Sequence, residues 1–171
     1  MTDLPIGSVW AIVKQLPKVI LRRIFPPAKL ADLVLVDIRP RHGPVSVNLG
    51  DPASFRVWLK VTNLSPFDVE LDRASLKLWC GGVVASSTAQ DRVPMRSGQS
   101  AELLFQGALS DGDVRQMIRN NDVQHAAIEV SAEFNCSLHN FPKRTGHLDG
   151  ITPEVLNLKA RVLDNGLEPT A

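Results

Sequence analysis

Residues 55–62 alternate between apolar and polar side chains with a period of two. The apolar positions are Phe55, Val57, Leu59 and Val61, and the alternate positions are Arg56, Trp58, Lys60 and Thr62. Successive side chains of a strand point to opposite faces of its sheet, so this pattern predicts a β-strand with one buried face. A turn should follow at Asn63, Ser65 and Pro66, because Asn and Ser bond the local backbone and Pro lacks a donor.

The longest alternating run lies at residues 126–138, and it predicts a second long strand. Shorter runs predict strands at 33–38, 45–49 (a short edge strand), 67–72, 75–80, 83–88, 101–105 and 155–163. Short strands separated by frequent turn residues are typical of a two-sheet antiparallel β-sandwich of the immunoglobulin or fibronectin III kind. The predicted core comprises Phe55, Val57, Leu59, Val61, Ile128, Val130 and Phe134.

One helix interrupts the strands, at residues 110–121. Ser110 is the expected N-cap, with Asp113 at the capping-box position, and Val114, Met117 and Ile118 form an apolar stripe. Residues 139–150 are predicted to form a long polar loop. The chain therefore divides into an N-terminal helical segment (1–29), a sandwich domain (30–165) and a flexible tail (166–171).

The N-terminal segment combines apolar and basic residues. Lys14, Lys18 and Arg22 recur every four residues and share one helix face, opposite a stripe of Val9, Val13, Leu16, Ile20 and Ile24. Pro17 should kink or break the helix. The stripe either packs on the sandwich or lies in a membrane surface, with Trp10 as an interfacial anchor. A transmembrane anchor is a third reading, although no apolar run approaches the roughly 18 residues that a bilayer requires.

The composition narrows the class of protein. The chain has 171 residues, 44% of them hydrophobic, which suits one folded domain with an appendage. A net charge of +1 argues against a nucleic-acid binder. Cys80 and Cys136 lie on inward positions of predicted strands. They are either reduced thiols in the core or partners in a disulfide between the sheets. No signal peptide is visible, so we expect a cytoplasmic protein, with peripheral membrane association as the alternative.

Candidate catalytic and metal-binding residues are few in this sequence. Cys136, His139 and His147 have a metal-like spacing, but a structural zinc site needs four ligands and no second pair lies nearby. The sequence contains neither a G-x-S-x-G nucleophile motif nor a phosphate-binding loop. We therefore expect no enzymatic activity, no metal and no cofactor. An enzyme with an unrecognised site is the remaining alternative.

Two features are candidates for binding a partner. Trp58 shares the outer strand face with Arg56 and Lys60, where it forms an aromatic and basic patch unless a helix or loop covers it. Lys143 and Arg144 supply basic charge to the predicted loop. The sequence does not indicate an oligomeric state.

The turn chemistry resembles that of the late embryogenesis abundant group 2 proteins, which carry the water-stress and hypersensitive-response (WHy) domain. The matching segments are Asn63-Leu64-Ser65, Pro66-Phe67-Asp68-Val69, Gly82-Val83-Val84-Ala85-Ser86 and Pro94-Met95-Arg96-Ser97-Gly98. Asn63, Pro66 and Gly98 carry the turn motif, whereas Leu64 and Ser65 stand where the family has Pro and Asn. The resemblance extends over residues 30–165 and is best at 55–107.

This resemblance implies a sandwich fold and a non-enzymatic role in desiccation or stress tolerance, in which client proteins or membranes are stabilised. The alternative is a membrane-peripheral adaptor. In that case Trp10, Lys14, Lys18 and Arg22 contact an anionic bilayer, and the sandwich loops bind a protein or lipid partner.

Overall fold

The computed structural model of the protein describes residues 13, 15–38, 44–120 and 125–158. Three helices are described: α1 (Lys18–Ile24), α2 (Pro27–Asp32) and α3 (Asp111–Asn120). The strands are β1 (Val34–Asp37), β2 (Val45–Asn48), β3 (Ser54–Asn63), β4 (Val69–Cys80), β5 (Val83–Ala89), β6 (Val93–Met95), β7 (Ser100–Ala108), β8 (Ala126–Cys136), β9 (Asn140–Arg144), β10 (Leu148–Ile151) and β11 (Glu154–Leu156). The predicted mainly-β fold is confirmed.

The strands form two sheets. In the first sheet β3 is central, with β7 along one side and β1 and β2 along the other, and β11 pairs with β2 in parallel. In the second sheet β4 and β8 are central. The outer side of β4 is occupied by β5 and β6, and the outer side of β8 by β9 and β10. The two sheets face each other as a sandwich.

The core lies between the inner faces of the two sheets, as the alternation predicts. Every residue of the predicted core is at most 2% exposed: Phe55, Val57, Leu59, Val61, Ile128, Val130 and Phe134. Phe134 stacks on Phe141 with ring centroids 5.6 Å apart. Leu21, Phe25 and Leu30 of the N-terminal helices belong to the same buried cluster. The sandwich and the helices therefore share one hydrophobic core.

The two strands predicted at 67–72 and 75–80 are one strand, β4. The pairing of β4 with β8 shifts between Leu71 and Arg73, so Asp72 is an extra residue in the ladder. A bulge of this kind changes the side-chain parity, which explains why Leu71 and Ala74 are both buried although they are three residues apart. The polar pair Asp72-Arg73 looks like a turn in the sequence because the bulge interrupts the alternation.

The predicted loop at 139–150 is also wrong, since it contains β9 and β10. Both strands pair with β8 at the sheet margin, where one face is solvated and the hydropathy signal is weak. Two smaller corrections concern β2 and β11. The predicted edge strand β2 lies between β3 and β11. The predicted strand 155–163 is described only as the short β11, and residues 159–171 lie outside the described part of the chain.

Helix α3 is capped as its sequence predicts. The Ser110 N–H donates to Asp113 Oδ2 at 3.0 Å, and the Asp113 N–H donates to Ser110 Oγ at 3.1 Å. Val114 and Met117 are buried against the sandwich. The capping box holds with Asp in place of Glu.

We predict that Phe134→Ala lowers the free energy of unfolding by about 3–5 kcal/mol, because a fully buried ring leaves a cavity that the sandwich refills only partly. Urea denaturation measures this change. The exposed Val84→Ala is the control, with an expected change within about 0.5 kcal/mol. A loss below about 1 kcal/mol for Phe134→Ala would show that its face of β8 is misassigned.

Candidate functional site

The corner after β3 is built around a buried amide. Asn63 and Ser65 are both 0% exposed, unlike most polar residues of the sandwich. Asn63 Nδ2 donates to the carbonyl oxygens of Phe67 at 2.8 Å and Met95 at 3.1 Å. Asn63 Oδ1 accepts from the Ser65 N–H at 3.0 Å and lies 2.7 Å from the Ser65 hydroxyl. The amide therefore connects β3 to the start of β4 and to β6.

The structure brings the three residues of the turn motif together in this corner. The Gly98 N–H donates to Asn63 O at 2.7 Å, and Gly98 has a left-handed φ of 79°, which a residue without Cβ adopts readily. Pro66 is buried between Asn63 and β4. The Ser97 hydroxyl donates to Ser65 O at 2.6 Å, which ties the two turns to each other. Asn63, Pro66 and Gly98 thus position backbone and present no reactive group to solvent.

The N-terminal helices are attached to the same corner. The Leu64 N–H donates to Leu33 O at 2.8 Å, and the rings of Phe25 and Phe67 meet edge to face with centroids 5.3 Å apart. Lys143 Nζ donates to Ala31 O at 2.8 Å near the C-terminal end of α2. A cation is favourable at that end of a helix because the last carbonyls carry partial negative charge. Lys143, predicted as a partner-binding residue, is thus held by the fold.

Helix α1 presents apolar side chains to solvent. Leu21 and Phe25 face the sandwich, at 4% exposure each. Leu16, Val19, Ile20 and Ile24 are 38%, 80%, 45% and 39% exposed. Three residues of the predicted stripe, Leu16, Ile20 and Ile24, therefore flank the buried line instead of forming it. Pro17 starts the helix and accepts from the N–H groups of Ile20 and Leu21, so the predicted break lies there.

Basic side chains surround this apolar surface. Lys18, Arg22 and Arg23 are all exposed, and residues 13–31 contain no Asp or Glu. The predicted membrane contacts Lys18 and Arg22 therefore lie beside exposed apolar side chains. The other two predicted contacts, Trp10 and Lys14, lie outside the described residues. We call the exposed residues Leu16, Lys18, Val19, Ile20, Arg22, Arg23 and Ile24 the α1 surface. Within the described residues, no helix is both long and apolar enough to cross a bilayer.

The predicted partner-binding residues do not form one patch. The Trp58 side chain is half-buried on the outer face of the first sheet, and the Trp58 backbone N–H donates to Pro44 O at 2.8 Å. Arg144 is exposed on β9 of the second sheet, opposite Ser131. Two different sheets carry these side chains, so Trp58 and Arg144 belong to separate surfaces.

The cysteines and histidines are also separated by the fold. Cys80 pairs with Ala126 and Cys136 with Val69, so the thiols lie at opposite ends of the β4–β8 ladder, on the order of 30 Å apart. This distance excludes a disulfide between them, and both cysteines are free. No group of three or more metal-ligating side chains is found in the described ranges. The His147 ring lies against Trp79 with centroids 4.3 Å apart, and His139 is half-buried.

A shallow cleft on the outer face of the second sheet was missed by the sequence analysis. It has a volume of about 350 Å³ and lies beside a bidentate ion pair, in which Arg73 donates to both carboxylate oxygens of Glu133 at 3.0 and 2.9 Å. The hydrogen bonds and charge of Arg73 lower the pKa of Glu133, and those of Glu133 raise the pKa of Arg73. Because each side chain satisfies the other, the pair leaves little binding capacity. The β4–β8 register that creates the pair cannot be read from the sequence.

Comparisons with known proteins found a shared fold but no family. No family model and no curated protein matches the chain. A Northeast Structural Genomics Consortium target solved by X-ray crystallography is similar, with a TM-score of 0.50, 10% identity and coverage of 72% of this chain and 90% of that one. At this identity the likeness concerns the fold alone.

Two further structures are more distant. A candidate ApaA protein from Bordetella pertussis has a TM-score of 0.42 at 10% identity, covering 71% of this chain and 89% of that one. A candidate late embryogenesis abundant protein, solved in solution, has a TM-score of 0.39 at 13% identity, covering 86% and 88%.

We predict that Asn63→Ala destabilises the protein by on the order of 3 kcal/mol, because each buried backbone group left unpaired costs about 1–3 kcal/mol. Chemical denaturation gives the change, and Thr62→Ala is the neighbouring control. Thr62 makes one exposed hydroxyl contact with Ser100 at 2.8 Å, so its loss should cost about 1 kcal/mol or less. Equal effects of the two substitutions would show that the amide network contributes nothing beyond an ordinary hydrogen bond.

Proposed function

We propose that this chain is a non-enzymatic binding module of the stress-protective type, which stabilises client proteins under desiccation or other stress. The observation that carries the proposal is the α1 surface. Val19 is 80% exposed, and Leu16, Ile20 and Ile24 lie beside it on a helix whose other face is buried in the core. Contiguous exposed apolar side chains with a polar surround are typical of interaction sites.

This surface suits a client that is partly unfolded. Such a client exposes apolar segments, and burying them against α1 removes apolar area from water on both sides. The basic residues Lys18, Arg22 and Arg23 keep the surface hydrated when nothing is bound. The resemblance of the turn motif to the late embryogenesis abundant group 2 pattern supports the same role. The residues of that motif, Asn63, Pro66 and Gly98, form the corner to which the N-terminal helices are attached.

The test is light scattering from a heat-labile client enzyme at its aggregation temperature, with and without the full chain. We expect suppression by the wild type. The double variant Val19→Ser/Ile20→Ser should lose about 2 kcal/mol of contact free energy, or roughly thirtyfold in potency.

The matched control is Leu104→Ser/Leu156→Ser, because both leucines are exposed (37% and 42%) on the first sheet, away from the helix. Its protective activity should equal that of the wild type. Equal loss in both double variants, or no suppression by the wild type, would contradict the proposal.

A second function, a membrane-peripheral adaptor, is favoured by the charge on the same helix. Lys18 and Arg22 are exposed four residues apart beside Val19 and Ile20, with no acidic residue from 13 to 31. Basic residues at an anionic bilayer contribute about 1 kcal/mol each, and insertion of apolar side chains adds to that. The helix axis would then lie in the membrane plane, with the sandwich on the aqueous side.

Flotation with anionic and with neutral vesicles tests this function. Lys18→Gln/Arg22→Gln should weaken binding to anionic vesicles by roughly thirtyfold, since two contributions of about 1 kcal/mol are removed. Arg115→Gln/Arg119→Gln is the control, because those arginines have the same spacing and exposure on α3 and change the net charge equally. If both pairs of substitutions have the same effect, only the net charge matters and the α1 surface is not the contact.

A further inference from the structure

Within the described residues, strand β5 of the β4–β5 hairpin forms one edge of the second sheet. Gly81 and Gly82 form its two-residue turn, with φ values of 56° and 76°, and Cys80 is opposite Val83. In a hairpin with such a turn, the flanking residues form a hydrogen-bonded pair, and such pairs recur at every second residue. The intervening residues Val84, Ser86 and Thr88 therefore direct their N–H and C=O groups away from β4.

Nothing in the described part of the chain pairs with these groups. There, β5 forms a ladder with β4 alone. The hydrogen bonds of turns, loops and caps between described residues do not include Val84, Ser86 or Thr88. Three donors and three acceptors are thus presented in a row, with a repeat of about 7 Å, which is the spacing that an added strand requires.

Strand β7 of the other sheet does not occupy this edge. Ser87 points to the inner face, since it is opposite the buried Leu76, and its hydroxyl donates to Gln106 O at 2.7 Å. This contact places β7 beneath β5 instead of beside it. The side chains of Ala85, Ser87 and Ala89 are small, so the two strands can approach without the sheet edge being covered.

The edge of β5 also lacks the usual protection. Natural sheets block their edges with charged residues, prolines or bulges. Among the described edge strands, β5 alone has neither a charged residue nor a proline. The others contain Asp37 (β1), Pro94 (β6), Glu102 (β7), Pro142 (β9), Asp149 (β10) and Glu154 (β11). A strand that pairs with the edge of β5 therefore buries no charged side chain of β5.

We propose that the β5 edge binds an extended, uncharged segment of a partly unfolded client by strand addition, which rests on the proposed function in client protection. Backbone pairing is independent of sequence, so it suits clients of many sequences. The exposed Val84, at 57%, and the neutral Ser86 and Thr88 accept apolar and β-branched neighbours on the outer face.

A second copy of the chain fits this edge less well. Self-pairing would engage the seven residues of β5 on each side, whereas stable protein interfaces use about 20–30 residues a side. A short edge gives a weak and reversible contact, which is what release of a client requires.

The experiment measures the fluorescence anisotropy of a labelled ten-residue peptide of alternating Val and Thr with a Lys at each end, titrated with the full chain. Ser86→Pro removes one edge N–H, and proline is tolerated on an edge strand. Ser86→Ala is the matched control, because it keeps the N–H and loses only the hydroxyl. We expect Ser86→Pro to weaken binding at least tenfold and Ser86→Ala to bind like the wild type, with unchanged thermal unfolding of both. A peptide N-methylated at every Val and Thr should not bind, because neither of its edges then offers backbone N–H donors.

Three results would overturn the inference. These are equal binding by Ser86→Pro, equal binding of the N-methylated peptide, and a wild-type dimer in light scattering that Ser86→Pro converts to monomer, which would assign the edge to a second copy. The client assay separates this inference from the proposed function. Peptide binding without suppression of client aggregation would contradict the function alone, and suppression without edge-dependent peptide binding would contradict the inference alone.

Discussion

The side chain of Asn63 connects three backbone segments that are distant in the sequence. Its amide donates to carbonyls of Phe67 and Met95 and accepts from Ser65, and its own backbone bonds to Gly98 and Gln99. A buried amide is costly unless all its hydrogen bonds are made, so a fully bonded Asn63 specifies one arrangement of these segments. This arrangement sets where β3 ends, where β4 begins and how β6 leads to β7.

The position of the N-terminal helices depends on the same corner. Two of its residues contact the N-terminal segment: Leu64 bonds to Leu33, and the ring of Phe67 packs against that of Phe25. A third contact comes from the neighbouring strand β9, where Lys143 bonds to Ala31. These contacts orient α1 so that Leu21 faces the core and Val19 faces water. The exposed apolar and basic surface is therefore a consequence of how the sandwich holds the helix. A free helix with the same sequence would not present one defined face.

Two surfaces of different character result from this architecture. The α1 surface offers apolar and basic side chains, whereas the β5 edge offers backbone groups and almost no side-chain chemistry. Both suit partners that are recognised by general properties, such as apolar area, negative charge or an extended backbone, and not by one specific shape. The β4–β8 ladder between them is long and well paired, so either surface can be engaged without disturbing the core.

The sequence by itself determined the sandwich, most strand positions and the predicted core, because burial of one face imposes a period of two on residues such as Phe55, Val57 and Phe134. It also indicated the corner through Asn63, Pro66 and Gly98, since turn chemistry is local. Tertiary structure decided everything that depends on register and on packing between distant segments. The bulge at Asp72 joined two predicted strands, and pairing with β8 made strands of a polar stretch. Lys143 was held by a helix more than a hundred residues away in sequence. The apolar stripe of α1 was turned partly to solvent because Leu21 and Phe25, and not Ile20 and Ile24, fit against Phe67 and the core.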